Sequence, residues 1–346
     1  MFTCTALTSA VLRSLRRTPE SGACVFSAVD LAAFAIASSV PRWTDNVMRQ
    51  LDSAPRCVHT AVRMNVLPFE KQQRVIASLV EGMSIRSTER SLEVHRDTVM
   101  RLGLAIGEGC ERLHDRLVRG VYSSFIELDE IWTFVHKKQG KLEAGDDPTF
   151  GDQYTYVALG SSHKLAISYL VGKRTAESTK MFAADLRERV IGSPQINTDG
   201  FVAYRDALEE AFGSKHSHGI AIKVYEGEGT GVDQHRYAPG RVKEVNRFAG
   251  RGSPVMDRIN TSYVERNNLT IRMSQRRFTR LCNAFSKKLP NLRAAVALHF
   301  AHYNFVRIHE TLRVTPAMAA GLAQRPWSIG ELIEAARDTY SRSRVA

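Results

Sequence analysis

Phe125-Ile126-Glu127-Leu128-Asp129-Glu130-Ile131-Trp132-Thr133-Phe134-Val135 is the stretch on which the reading of this 346-residue chain turns. Its apolar and aromatic residues predict an alternating strand, yet three carboxylates sit in the middle of it. Asp129 lies inside an otherwise apolar run, where an unpaired charge is costly unless it meets a partner or a metal ion. Alternation puts Glu127 on the face of Asp129 and Glu130 on the other.

Working outward, a Gly- and charge-rich loop over 136–152 leads to two strands, Tyr154 to Leu159 and Lys164 to Val171, joined through Ser161-Ser162-His163 as a hairpin. Helical spacing follows from Thr175 to Val190, with Thr175 and Ser178 as polar first-turn residues. Gln195 to Thr198 reads as a short strand ending at Asp199-Gly200, Phe201 to Phe212 as a helix, and Ile220 to Tyr225 as a fifth strand. His216 and His218, in a Gly-Ser context, read as loop residues. Residues 226–258, rich in Gly and Arg, read as a mobile or DNA-contacting excursion, and most of the chain from Asn260 onward reads as helix. Strand, hairpin strand, strand, helix, strand, helix, strand, helix is the order of an RNase H-like α/β domain.

Upstream, Phe69 to Val80 places Val75, Ile76, Leu79 and Val80 on one stripe, Gly82 permits a turn, and Ser84 to Leu92 gives a second short helix. A third short helix starts at His95. Three short helices with a Gly turn and a polar third helix read as an all-α helix-turn-helix DNA reader, with Arg96, Asp97 and Arg101 facing the groove and Val99 and Leu102 packing inward. The alternative is an ordinary three-helix bundle.

The composition agrees with a nucleic-acid partner. Lys and Arg number 48 against 36 Asp and Glu, a formal charge of +12 that favours an acidic polymer. With 24% charged residues the chain reads as soluble and globular, neither disordered nor collagenous. Five Cys (4, 24, 57, 110 and 282) form no CxxC pair, so neither a disulfide framework nor a zinc site is expected. No stretch reaches a membrane span; the apolar run from Val25 to Val40 is short and broken by Asp30. Residues 1–63 hold seven Arg, no Lys and three of the five Cys, and are expected to be an N-terminal extension with little fold of its own, Met64 being an alternative start.

Two further acids complete the pattern. Asp199 follows a strand beside Gly200, where a ligand can approach the backbone. Glu265 is the one acid between Arg258 and Lys288, a window with eight Lys or Arg. It sits on the helix Thr261 to Arg276, on which Glu265, Asn268, Arg272 and Arg276 share a face. Each acid alone has an ordinary reading: a buried hydrogen-bonding residue, a turn, a solvated side chain. Together, oxygen ligands from a strand, a strand end and a helix suit Mg²⁺ or Mn²⁺. Two such ions can activate a nucleophilic oxygen and stabilise a leaving one in phosphoryl transfer. Arg266, Arg272 and Arg276 are the candidates for holding DNA phosphates beside them, with the Arg-rich 236–258 stretch. There is no Walker loop, GxGxxG, HExxH or GxSxG motif.

Glu127-Leu128-Asp129-Glu130-Ile131-Trp132, then Thr198-Asp199-Gly200 with Tyr204, then Tyr263-Val264-Glu265-Arg266-Asn267-Asn268-Leu269-Thr270-x-Arg272 resemble the insertion sequence 1 family of bacterial DDE transposases. The closing Tyr303-Asn304-Phe305, Arg307, His309, Thr311-Leu312 and Thr315-Pro316-Ala317 look like the tail of many such enzymes, so the resemblance spans roughly 64–335. It implies an RNase H-like fold on which Asp129, Asp199 and Glu265 are the catalytic, metal-binding carboxylates. It also implies two Mg²⁺ or Mn²⁺ ions, and cleavage of element ends followed by strand transfer with no covalent protein–DNA intermediate. The partners implied are double-stranded DNA (terminal inverted repeats and target) and further copies of the chain, in the bacterial cytoplasm at the nucleoid, with no membrane. Where a Ser often starts the third helix, this chain has His95, a poorer N-cap. The expected domains are the extension 1–63, the helix-turn-helix 64–107, a helical connector 108–123, the catalytic domain 124–322 with insertion 226–258, and a tail 323–346. The rival readings are a helix-turn-helix DNA binder without catalysis and an RNase H-like nuclease without strand transfer.

Overall fold

The computed structural model describes residues 66–226, 241–280 and 282–342. The chain divides into two units, 1–59 and 60–346, and every described residue belongs to the second. The extension 1–63 therefore lies outside the described residues, as do residues 227–240 of the Gly/Arg-rich stretch.

Helix α1 (Phe69–Val80) buries Val75, Ile76 and Val80. Helix α2 (Ile85–Leu92) starts at Ser84, whose hydroxyl accepts a hydrogen bond from the Ser87 amide at 3.0 Å, a cap worth about 1 kcal/mol. It stops at Glu93, which takes a left-handed φ of 52°. Helix α3 (Arg96–Leu117) begins at His95, whose ring Nδ1 accepts from the Asp97 amide at 3.3 Å. This helix is 22 residues long, not short, and runs unbroken across residues 107 and 108. The glycines that suggest an interruption serve packing instead. A Cβ on Gly107 would run into the carbonyl of Ala294 on α7 (Leu289–Ala301), and one on Gly109 into that of Ala336 on α9 (Ile329–Arg342). Three helix backbones touch there because two side chains are missing.

Two-residue strands β1 (Val121–Tyr122) and β5 (Val190–Ile191) pair in parallel. The main sheet comprises β2 (Phe125–Val135), β3 (Gly151–Gly160), β4 (Ala166–Gly172), β6 (Gln195–Thr198), β7 (Ser217–Tyr225) and β8 (Val242–Arg251), in the order β4-β3-β2-β6-β7-β8. β2, β3 and β4 are antiparallel neighbours; β6 lies parallel to β2, and β7 parallel to β6. β8 returns antiparallel to β7. The strand β8 corrects the reading of 226–258 as an excursion. As an edge strand it is charged and exposed over most of its length, so no burial alternation marks it. His218, read as a loop residue, lies on β7, buried, its Nε2 2.9 Å from the Thr198 hydroxyl.

Helix α4 (Ala176–Arg189) is capped by Thr175, whose hydroxyl accepts from the Ser178 amide. With α5 (Ala203–Phe212) it covers the sheet face that carries Ile126, Leu128, Tyr156 and Ala158. Helices α6 (Ser262–Ser274) and α7 cover the other face, with Ile131, Val135, Val157 and Leu159. The strand alternation sorts side chains cleanly between these two cores, and each fully buried one stabilises the fold by about 1.5–3 kcal/mol before chain ordering is counted. The short α8 (Pro316–Ala319) and α9 close the chain, with Trp327, Leu332 and Ile333 buried in the first core. No helix among the described residues is long and apolar enough to cross a membrane.

Candidate metal centre

Strand lengths create the site. β6 has four residues and pairs with β2 only over Phe125–Glu127, whereas β2 continues to Val135. On the other side β7 pairs with β6 up to Ile220 and continues to Tyr225. Beyond Thr198 a notch therefore opens between β2 and β7. Asp129 stands on the β2 wall, Asp199 at the floor where β6 stops, Lys223 on the β7 wall, and Glu265 in the first turn of α6.

Carboxylate oxygens of Asp129, Glu130 and Asp199 all lie within 4.8 Å of one another, the one such group of potential metal ligands among the described residues. Asp129 Oδ1 accepts from the Glu130 amide at 2.9 Å, and its Oδ2 from Asn268 Nδ2 at 2.8 Å. Burial, then the charges of Glu130, Asp199 and Glu265, push the Asp129 carboxyl up to about 7. Glu130 is also raised, chiefly by burial; its side chain is 3% exposed, with Oε2 on Arg174 Nε at 3.1 Å. Its Oε1 is buried, and the Tyr204 hydroxyl stands beside the carboxylate and acts against the rise. Arg174 reaches toward Asp199 as well, at 3.9 Å, and stacks over Phe201 with 4.0 Å to the ring centre. Asp199 Oδ1 accepts from the Phe201 amide at 3.0 Å, which fixes the turn into α5.

The sequence placed Glu127 beside Asp129 and Glu130 on the opposite face. On the strand that alternation holds, but the outcome at the notch is reversed. Glu127 turns to the start of α6, where its Oε2 accepts from the amides of Tyr263 and Val264 at 2.8 and 3.1 Å. Free amides at a helix N-terminus draw a carboxylate in this way. Glu130 reaches the notch from the α4–α5 side because β6 ends before it could stand in between. Glu265 lies outside the three-acid group. Lys223 Nζ hydrogen-bonds both of its carboxylate oxygens, and the Thr261 hydroxyl donates to Oε1 at 2.7 Å. It is nevertheless close enough to raise Asp129. Sequence reading missed Glu130, Arg174 and Lys223 as members of the site; an acid directly after Asp129 was the visible signal for the first.

The basic residues divide between two places. Arg272 on α6 is half-buried, and burial, then Arg280, holds its guanidinium below the usual range while Asp129 acts the other way. Arg266 is exposed on the same helix. Arg276 is not on that helix, which ends at Ser274 because Gln275 turns extended. It lines a separate groove of about 800 Å³ with Arg86, Arg96, Asp97, Arg277 and Lys287, between the first three helices and residues 275–287. Arg101 is exposed on α3, its Nε donating to the Asp97 carbonyl at 3.3 Å.

An all-carboxylate donor set, its oxygens within 4.8 Å of one another, fits a hard divalent cation such as Mg²⁺ or Mn²⁺. Such an ion would relieve the mutual repulsion that holds Asp129 up.

No protein-family model matches the chain, and no curated protein does. Among solved structures it is similar to a piggyBac transposase synaptic complex with hairpin DNA, at 13% identity over 90% of this chain and 79% of that one, TM-score 0.35. A Mos1 transposase paired-end complex with left transposon end aligns at 17% identity over 53% and 70%, TM-score 0.17. A Mos1 mariner paired-end complex with Mn aligns at 17% identity over 60% and 76%, TM-score 0.16. At such scores neither the fold nor the function of this chain is drawn from them.

Proposed function

We propose that this protein is a bacterial DDE transposase of the insertion sequence 1 family, which cleaves DNA at the ends of its element and joins them to target DNA. The observation that carries the reading is the notch: acids from β2 and the end of β6 converge where β6 stops, with an acid of α6 beside them. Support comes from the sheet, whose three antiparallel strands followed by two parallel ones have the order of an RNase H-like domain. In this reading residues 124–322 are the catalytic domain, 64–107 a helix-turn-helix, 108–123 a helical connector and 323–346 the tail.

Asp129, Asp199 and Glu265 are the catalytic carboxylates, and Glu130 joins them in holding the metal. Bound Mg²⁺ or Mn²⁺, one ion or two, supplies charge stabilisation and an activated oxygen nucleophile for phosphoryl transfer. The chain's own residues do the rest. Asn268 and the Glu130 amide orient the Asp129 carboxylate, and the Phe201 amide orients Asp199. Glu127 ties the start of α6 to β2 and so fixes the helix that carries Glu265. Arg266 and Arg272 hold phosphates beside the notch. Arg96, Asp97 and Arg101 face the DNA groove from α3, with Arg276 across the cleft. The reaction is carried out by a homo-oligomer bound to paired element ends, in the cytoplasm.

The test is a cleavage and strand-transfer assay on a labelled duplex that carries the element's terminal repeat, with Mg²⁺, Mn²⁺ or EDTA. Metal-dependent nicks and joined products are expected, both reduced to background in Asp129→Asn while duplex binding persists. Binding without either product, in a preparation shown to be folded, contradicts the reading and leaves a non-catalytic DNA binder.

A further inference from the structure

We propose that Lys223 is an internal cation that competes with the divalent ion for Glu265, so that the site is completed only when the lysine gives way. This rests on the metal-dependent reading above and adds a control element to it. Glu130 and Glu265, two of the carboxylates that raise Asp129, have different partners. Glu130 lies with Asp129 and Asp199, its Oε2 on Arg174 and the Tyr204 hydroxyl beside its carboxylate. Glu265 has both oxygens on Lys223 Nζ and a third donor in the Thr261 hydroxyl, and it stands outside that group. One acid lies within the group that would hold the ion, and the other is held outside it by a lysine.

The topology explains why a lysine can do this. Lys223 is three residues past Ile220, the last β7 residue paired with β6, so it stands on the notch wall opposite β2. It shares that strand's alternation with the α6 side, where Glu265 sits, while Ile222 turns to the opposite side, near Gly200. Its side chain is 19% exposed and that of Glu265 is 41% exposed, so the pair lies at the mouth of the notch and not in the core. A lysine is a compact point charge on a flexible stem. It can leave Glu265 without disturbing β7, which arginine, with its rigid fork, does less readily. The consequence is a site in which removing a positive charge strengthens cation binding by freeing a carboxylate.

The experiment is calorimetric titration of the full chain with Mn²⁺ at pH 8, with metal-free thermal unfolding of each variant to establish that it is folded. Lys223→Met keeps the aliphatic stem and is expected to bind Mn²⁺ roughly tenfold more tightly than wild type, the scale of removing a competing unit charge at a partly buried carboxylate. Lys223→Arg, which retains the charge and gives way less readily, is expected to bind no more tightly than wild type. In a Glu265→Gln background the Lys223→Met gain is expected to disappear. Unchanged or weaker binding by folded Lys223→Met overturns the proposal, and so does a gain that survives in Glu265→Gln. If Lys223→Met does not fold, Lys223→Gln is read by the same criteria. Absence of Mn²⁺ binding by wild type and every variant overturns the metal-dependent reading itself, and the proposal with it.

Discussion

Two regions of this protein bury ionisable groups, and they do so in opposite ways. In the notch at the end of β6, four carboxylates crowd together, and burial with mutual repulsion raises Asp129 to about 7. On α3, on α7 and just past α7, three buried histidines have given up their charge. His299 and His114 are each pushed down to about 3, and His302 to about 4, in every case chiefly by burial. The helix region has settled its electrostatics internally, by neutral rings and by the ion pair of buried Arg189 with Asp185 beside His114. The notch has not, and that difference separates a settled interior from a cluster of acids whose charges a cation would balance.

The comparison can be broken first at the helix seam. Gly107→Ala drives a Cβ into the Ala294 carbonyl, and backbone cannot move aside as a side chain can. A loss of about 3 kcal/mol is expected, the upper end for overpacking, read as a lower denaturation midpoint, with metal binding intact in the folded fraction. A stability equal to wild type would mean that the backbones are not in contact.

A smaller effect tests the histidines. The His299 ring has neither nitrogen hydrogen-bonded and a folded value near 3, against about 6.5 when unfolded. Between these limits the unfolded chain binds more protons, so stability is full above pH 6.5 and falls as the pH is lowered. His299 accounts for about 2 kcal/mol of loss between pH 6.5 and pH 5. His299→Leu should remove that part of the acid sensitivity, measured as the difference in urea unfolding free energy between the two pH values. An unaltered pH dependence would show that the ring is already charged in the fold.

How much of this the sequence discloses depends on the kind of signal. Strand β2 and strand β6 were legible to the residue, the first from its apolar and aromatic residues and the second as a short segment stopped by Asp199-Gly200. Asp129 and Asp199 were legible through context, an acid in an apolar strand and an acid at a strand end. The position of Glu130 was not. Alternation assigns it to the far face, and only the early stop of β6, a property of how two strands differ in length, lets it reach the notch. β8 was hidden because an exposed edge strand has no buried side to leave a period in its sequence. Lys223 is a single lysine in a strand, and its partner is 42 residues away. The end of α6 before Arg276 turns on the backbone of Gln275, which no residue type there announces.

The claim that the notch is built for a cation can be tested most directly by thermal unfolding at pH 8, with and without Mn²⁺, of wild type and Asp129→Asn. Asp129 holds its proton up to about 7 when folded but only to 3.8 when unfolded, so the ion-free protein loses stability as pH rises between those values and has the full penalty at pH 8. Asp129→Asn removes that penalty and should melt at a higher temperature than wild type without metal. Added Mn²⁺ should raise the wild-type melting temperature and leave that of Asp129→Asn nearly unchanged. A wild type indifferent to Mn²⁺, or an equal shift in both proteins, would contradict the account.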